Sequence, residues 1–399
     1  MPDAAGRGRA DVSVKVEFLR LDRDYAEVRS EVARRFEAVL ASQRFVLGPQ
    51  TEELERRLGT LLGARVVGCG SGTRALVLAL EALGVGPGAC VVVPALSFFA
   101  TAGAVCRAGA RPVFADVDEA TLTLGPEQLA ETLDREFVRR GERYVHRASG
   151  AWLATVIPVH LYGYPVDVGQ LQRVTGQSIP VVEDAAQAIG ARAGGTAAGT
   201  AGALGCLSFY PTKNLGAAGD AGAVVTRDET LAGVVRSLRV HGAGADPTEF
   251  RLRGDNGRID ELQAAFLNAK LDRLAQWTER RRRIAQRYRC ALARAEASGK
   301  LVLPAAAEGH VYHQFTVRVT RGRDDLAAAL RADGIETRVF YPRPLHLQPA
   351  LSEFGRGSGS LPVAERAARE VLSLPIYPNL LDSEQDFVCE RLLARLGLP

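Results

Sequence analysis

Between Val66 and Glu183 the chain repeats one pattern: a short run that is apolar at every position, then a stretch with helical spacing. Cys90-Val91-Val92-Val93, Pro112-Val113-Phe114-Ala115, Leu153 to Val159 and Val181 to Glu183 are such runs, and Val66-Val67 opens the series. A strand buried on one face alternates polar and apolar residues; a strand covered on both faces does not. The pattern therefore predicts a mainly parallel sheet with helices on both sides, an α/β doubly wound domain. With 47% hydrophobic and 24% charged residues the chain has ample material for such a core.

The character changes after about Asp260. A long helix is expected from Asp260 to Ala295, broken at most once. An alternating strand at Val311 to Val319, a helix from Asp324 to Ala332, a strand from Glu336 to Phe340 and two terminal helices follow. The expected division is a flexible, Gly- and Arg-rich segment at 1–20, a large α/β domain at 21–259 and a smaller α+β domain at 260–399. Near the start, helical spacing covers Tyr25 to Leu40, and Thr51 reads as the N-cap of a helix ending at Leu62.

Lys plus Arg number 50 and Asp plus Glu 46, so the net charge, 50 − 46 = +4, is too small to draw the chain to nucleic acid or anionic lipid. Two uncharged stretches, Ala89 to Cys106 and Ala193 to Thr212, are interrupted by Pro, Gly, Ser and Thr and do not suit a membrane span. The N-terminus has no apolar h-region, and the six cysteines form no CxxC pair. A cytoplasmic protein with reduced thiols is expected, without disulfides or a metal. His310 and His313 lack neighbours at ligand spacing, and the basic stretch Glu279 to Arg283 reads as a solvated helix face.

Three segments carry chemistry. Gly68-Cys69-Gly70-Ser71-Gly72-Thr73 lies between a strand and a helix, where glycines and free helix N–H groups can receive a phosphate; an ordinary tight turn is the other reading. Val181-Val182-Glu183-Asp184 runs a strand into two acids, placing a carboxylate where α/β sheets bind ligands or, alternatively, a helix N-cap. Next to a cation, the pKa of that carboxylate is expected to fall. Lys213 is the only lysine between Lys15 and Lys270 and stands in otherwise uncharged surroundings from Ala193 to Ala218. Burial would lower its pKa and make it a nucleophile toward carbonyls; snorkelling to solvent is the alternative. A phosphate cup, a strand-end Asp and a secluded lysine are the parts needed to hold pyridoxal phosphate.

The chain resembles the DegT/DnrJ/EryC1/StrS family of sugar aminotransferases, of the aspartate-aminotransferase-like fold type I, from about Val16 to Leu396. The strings that carry the resemblance are Phe45 to Pro49, Gly70 to Thr73, Val159 to Gly163, Glu183 to Gln187, Ser208 to Leu215, Asn256 to Ala265 and Pro344 to Gln348. The resemblance implies that Lys213 bonds to the cofactor aldehyde and later carries a proton, while Asp184 pairs with the pyridinium nitrogen. Gln187 would contact the ring hydroxyl and Phe98 stack on the ring. Gly72, Thr73 and Ser208 would hold the phosphate. Asn256 would reach the cofactor of a second subunit, implying a homodimer with shared sites. Arg258, His241, Tyr312 and His313 would touch substrate. The implied reaction passes the amino group of L-glutamate, through pyridoxamine phosphate, to a dTDP- or UDP-linked keto-hexose, at C3 rather than C4, with 2-oxoglutarate released. Antibiotic-sugar or polysaccharide biosynthesis is the expected setting. A dehydratase or an inosose aminotransferase of the same family is an alternative, and so is a non-catalytic regulatory protein. Family dehydratases have histidine where Lys213 stands. Departures from the family pattern occur at Tyr164, Gly257, Asp220 and Ala221; none touches the cofactor chemistry, and they bear on substrate preference.

Overall fold

The computed structural model describes residues 15–244, 246 and 248–399. Its framework strands are β1 (Arg65–Cys69), β2 (Ala89–Pro94), β3 (Arg111–Ala115), β4 (Trp152–Val156), β5 (Val182–Asp184), β6 (Leu204–Ser208) and β7 (Gly222–Thr226). One sheet has the order β1-β7-β6-β5; a second has β3-β2-β4, extended by the hairpin Phe137–Arg140 and Arg143–His146. Parallel bridges Val156–Val181 and Val159–Asp184 join the two. β3, β2 and β4 are mutually parallel, as are β5 and β6, whereas β7 is antiparallel to both its neighbours. Every residue of β2 and β7 is buried, which is why their sequences do not alternate.

Helices cover this framework. Gly72–Ala82 is buried at every position from Ala75 to Leu80, so its sequence is apolar nearly all round. The helix expected from Thr51 begins instead at Pro49, where a missing N–H costs nothing; the Thr51 hydroxyl donates to Glu261 at 2.6 Å. The N-terminal helical stretch divides into Leu21–Ala26 and Arg29–Ser42.

In the C-terminal part the long helix breaks at Asp272–Arg273 into Glu261–Leu271 and Leu274–Ala297. A small antiparallel sheet is built from β8 (Leu301–Val302), β9 (Phe315–Val319) and β10 (Val371–Leu374). β9 is buried throughout, so the expected exposed face is corrected: helices and neighbouring segments cover both sides. The strand expected at Glu336 to Phe340 makes one bridge, Arg338–Ser373, and β10 takes the ladder position beside β9. Of the N-terminal segment expected to be flexible, residues 1–14 lie outside the described residues. Val16 corrects the boundary: it is fully buried, and its backbone bonds to Gly334 and Glu336. No described helix is long and apolar enough to cross a membrane.

Candidate active site

The carboxyl ends of β1, β5 and β6 bring three loops together. After β1 the chain enters the helix Gly72–Ala82, capped by the Ser71 hydroxyl, which accepts from the Arg74 N–H at 3.0 Å. The N–H groups of Gly72 and Thr73 have no acceptor among the described residues, as befits a helix start. A Cβ on Gly72 would stand 2.6 Å from Cβ of Ser208, so only glycine allows the helix start and the end of β6 to meet. Two free N–H groups beside the Ser208 and Thr73 hydroxyls form a cradle suited to a phosphate.

Asp184 ends β5 and is 5% exposed. Its carboxylate accepts from the Thr101 hydroxyl at 2.8 Å and from the Ala186 N–H at 3.2 Å. No helix follows it, so the N-cap alternative is set aside. Burial raises its pKa, against those two donors and the Lys213 ammonium. The lowering expected beside a cation is present in the pull of Lys213, but desolvation outweighs it. The adjacent Glu183 fixes the strand end. It bonds the His160 Nε2 at 2.8 Å and accepts from the N–H groups of Gly199, Ala201 and Gly202. His160 Nδ1 accepts from the Val166 N–H, so Nε2 carries the proton given to Glu183. These bonds hold Glu183 below its ordinary pKa in spite of burial.

Lys213 lies on the loop after β6, half-buried, with its N–H on the Tyr210 carbonyl at 2.8 Å. Burial pulls its pKa down to about 8, although Asp184 opposes the shift. At pH 7 roughly one amine in ten is then neutral, about 300 times the fraction for an ordinary lysine. His313, fully buried and held well below its ordinary pKa by burial and by Lys213, bonds Asn214 Oδ1 through Nδ1 at 3.2 Å. A cleft of about 330 Å³ opens beside this loop, lined by Thr212, His313, Arg281, Arg338, Phe340 and Phe18 among others.

Gln187 is bonded at both ends. Its Oε1 accepts from the Tyr162 N–H at 2.6 Å, and its Nε2 donates to the Tyr341 hydroxyl at 3.2 Å. Phe98 is 55% exposed, with its ring 5.9 Å from that of Tyr341. Asn256, Arg258 and His241 occupy one surface region beside the glycine loop: Gly70 donates to the Gly257 carbonyl, and His241 to that of Asp255. Asn256 and His241 are exposed. Tyr312 is separated from the others. It stacks on His310 at 3.9 Å and packs into the C-terminal cluster with Phe315. The structure thus gathers Gly72, Thr73, Asp184, Ser208 and Lys213, with Phe98, Gln187 and His313 around them.

Thr101 and Tyr341 were not singled out from the sequence. Thr101 stands three residues after Phe98, one helical turn along, and that spacing is the signal that could have found it. Among the described residues no cluster of His, Cys, Asp and Glu could hold a metal.

The donor set fits pyridoxal phosphate: a phosphate cradle, a buried carboxylate with both oxygens oriented, and an amine partly neutral near pH 7. The model of the "DegT/DnrJ/EryC1/StrS aminotransferase family" matches residues 26–393. The chain is 41% identical over 385 residues to a "Pleiotropic regulatory protein" of Geobacillus stearothermophilus, covering 95% of this chain and 98% of that protein. It is 40% identical over 364 residues to a "UDP-N-acetyl-3-dehydro-alpha-D-glucosamine 3-aminotranferase" of Acidithiobacillus ferrooxidans, covering 90% and 92%. The crystal structure of S. venezuelae DesV "in complex with ketimine intermediate" superposes with a TM-score of 0.87 at 39% identity, covering 96% of this chain and 98% of that one.

Proposed function

The chain belongs to the DegT/DnrJ/EryC1/StrS aminotransferase family, pyridoxal-phosphate enzymes of fold type I, and on that premise we propose that it passes the amino group of L-glutamate to C3 of a nucleotide-linked keto-hexose. The observation that carries this reading is the pairing of a depressed-pKa lysine with a buried strand-end carboxylate, each acting on the other, on strand ends that also form the glycine cradle.

Gly72, Thr73 and Ser208 would bind the cofactor phosphate, and Phe98 would lie against the ring. Pyridoxal phosphate, when bound, supplies an aldehyde that takes up the amino group and a ring that spreads the charge left by proton removal. Asp184, oriented by Thr101 and Ala186, would hold the ring nitrogen's proton. A carboxylate beside a cation stabilises both charges, so its raised pKa falls once that proton is present. Lys213 would take a proton from the carbon of glutamate and return one, a positioned base worth about 10²–10⁴ in rate. With its pKa near 8 the amine is close to balanced for both transfers. Over the two half-reactions glutamate would give up its amino group, the proton on its carbon and the electron pair of that C–H bond, with water supplying the oxygen of 2-oxoglutarate; the sugar carbon would take up the amino group, a proton and an electron pair, and its carbonyl oxygen would leave as water.

The name of the Acidithiobacillus relative supports a sugar substrate and the 3-position. The exposed Asn256 and His241, with Phe250 61% and Leu252 40% exposed nearby, support a homodimer in which this region completes the second subunit's site. Arg258 and His313 are the proposed substrate contacts. The Geobacillus relative's name favours a second, regulatory reading. The two readings separate in one experiment. Purified protein given pyridoxal phosphate should turn yellow, bleach with L-glutamate, and convert a 3-keto nucleotide sugar faster than its 4-keto isomer. Borohydride before glutamate should leave the label on Lys213. A colourless protein, or a label elsewhere, overturns the catalytic reading; preference for the 4-keto sugar overturns the regiochemistry.

A further inference from the structure

Lys270, on the helix Glu261–Leu271, is the second lysine drawn into the interior, at 6% exposure. Its ammonium lies 5.3 Å from the Phe266 ring and 5.6 Å from the Trp277 ring. Asp24 and Arg281 are the charged groups that act on it, and burial pulls its pKa down to about 8. No carboxylate stands within ion-pair distance of it among the described residues. Its one hydrogen bond goes to the Gly216 carbonyl at 2.7 Å. An ammonium taken out of water without a contacting carboxylate costs stability, so a bare structural filler would serve this position better.

What the bond reaches is the loop of Lys213. That loop leaves β6, turns with the Lys213 N–H on the Tyr210 carbonyl, and closes with the Ala217 N–H on the Phe209 carbonyl at 2.7 Å. Gly216 sits at the closure, where a Cβ would overlap the Pro211 carbonyl, so the turn has no room to relax inward. Asn214 ties the middle of the turn to the Val311 carbonyl and to His313, both at 3.2 Å, and Lys270 holds its end, at the Gly216 carbonyl, from a separate helix. We propose that Lys270 is a positioning residue that anchors the Tyr210–Gly216 turn and thereby sets where the Lys213 amine stands relative to Asp184. The inference rests on the cofactor reading above.

Misplacing a reacting group by about 1 Å can cost 10²-fold. Lys270→Met holoenzyme should therefore lose between about 10- and 100-fold in kcat, with KM for glutamate and for the keto sugar unchanged. The visible circular dichroism of its bound cofactor should change in amplitude, and apoenzyme should capture pyridoxal phosphate more slowly. Lys270→Arg, which keeps a charged donor, should restore part of all three. If Lys270→Met fails to fold, Lys270→Gln decides, since its amide donates without charge: kcat should fall below wild type with both KM values unchanged and the dichroism altered. Lower melting temperature with unchanged kcat, dichroism and capture rate would overturn the proposal and leave Lys270 purely structural. A wild-type protein that takes up no cofactor would instead overturn the functional reading.

Discussion

The ends of β5 and β6 and the small C-terminal sheet are both deeply buried, yet they treat polar groups in opposite ways. Around β8, β9 and β10 the buried polar side chains are tied mainly to backbone carbonyls, with Arg281 Nε and Gln385 Oε1 left without a partner among the described residues. The Tyr288 hydroxyl donates to the Pro375 carbonyl at 2.8 Å, Gln385 to that of Ile284 at 2.7 Å, and Arg281 to the carbonyls of Tyr312, His313 and Ile376. Stacked rings such as Tyr288 and Phe315, 4.9 Å apart, fill the rest. At the strand ends of the main framework, charges are left open. Lys213 has its pKa pulled to about 8, Asp184 is raised, and the N–H groups of Gly72 and Thr73 have no acceptor among the described residues. Burial that is fully matched stabilises; burial left half matched marks a place made for a ligand.

The sharpest break of this contrast comes from one deletion in each region. Lys213→Ala should abolish turnover, by more than about 10³-fold, since it removes both the attachment point and the proton carrier. It should also raise the melting temperature of the cofactor-free protein. The sign follows from linkage: a lysine whose folded pKa is below its unfolded one binds fewer protons when folded, so it destabilises at neutral pH, and that cost disappears as pH rises above the unfolded value. For the same reason, capture of pyridoxal phosphate by wild-type apoenzyme should accelerate as pH rises through about 8, read by the visible band. Leu392→Ala, at a fully buried position of the C-terminal cluster, should do the reverse. It should lose about 2–5 kcal/mol of stability in denaturant melts while kcat per folded molecule stays unchanged. A Lys213→Ala protein that melts lower, or a Leu392→Ala protein with altered kcat, would erase the distinction between the two regions.

How much of this was legible in the sequence depends on how local each signal is. The buried strands, the glycine turn, the strand-end acid and the isolated lysine announce themselves within a few residues of chain. Thr101 did not, because its bond to Asp184 spans 83 positions and exists only once the helix after β2 docks over β5. Tyr341 meets Gln187 across 154 positions, and Lys270 reaches Gly216 across 54. Tyr312 shows the converse failure. Adjacent residues suggest a shared role, but its backbone adopts φ of 44°, and the turn sends its ring to His310 while His313 faces Asn214. The segment Glu336 to Phe340 has the composition of a strand, yet one bridge is all that its neighbours leave room for. Periodicity reports which faces are apolar; it does not report which partner arrives first at a ladder.

The finest version of the comparison removes one hydroxyl from each region at nearly constant shape. Thr101→Val deletes the donor to Asp184 and the 2.8 Å contact with Ser97; Tyr288→Phe deletes the donor to the Pro375 carbonyl. Each lost bond should cost about 1 kcal/mol of stability, with Thr101 toward the larger end because its acceptor is ionisable. The two should part in catalysis. Without Thr101 the Asp184 carboxylate loses a group that both favours ionisation and fixes its plane, so its pKa rises further and its hold on the ring nitrogen's proton becomes less directional. The expected result is a fall in kcat of up to about tenfold, 1.4 kcal/mol, largest at the acid end of the pH profile where Asp184 is already closest to protonation. Tyr288→Phe should leave the pH profile superimposable on wild type, because a carbonyl that loses its donor in the C-terminal cluster alters only the free energy of folding. Equal kcat losses in both variants would mean that the strand-end acid is positioned by the fold at large rather than by the hydroxyl beside it.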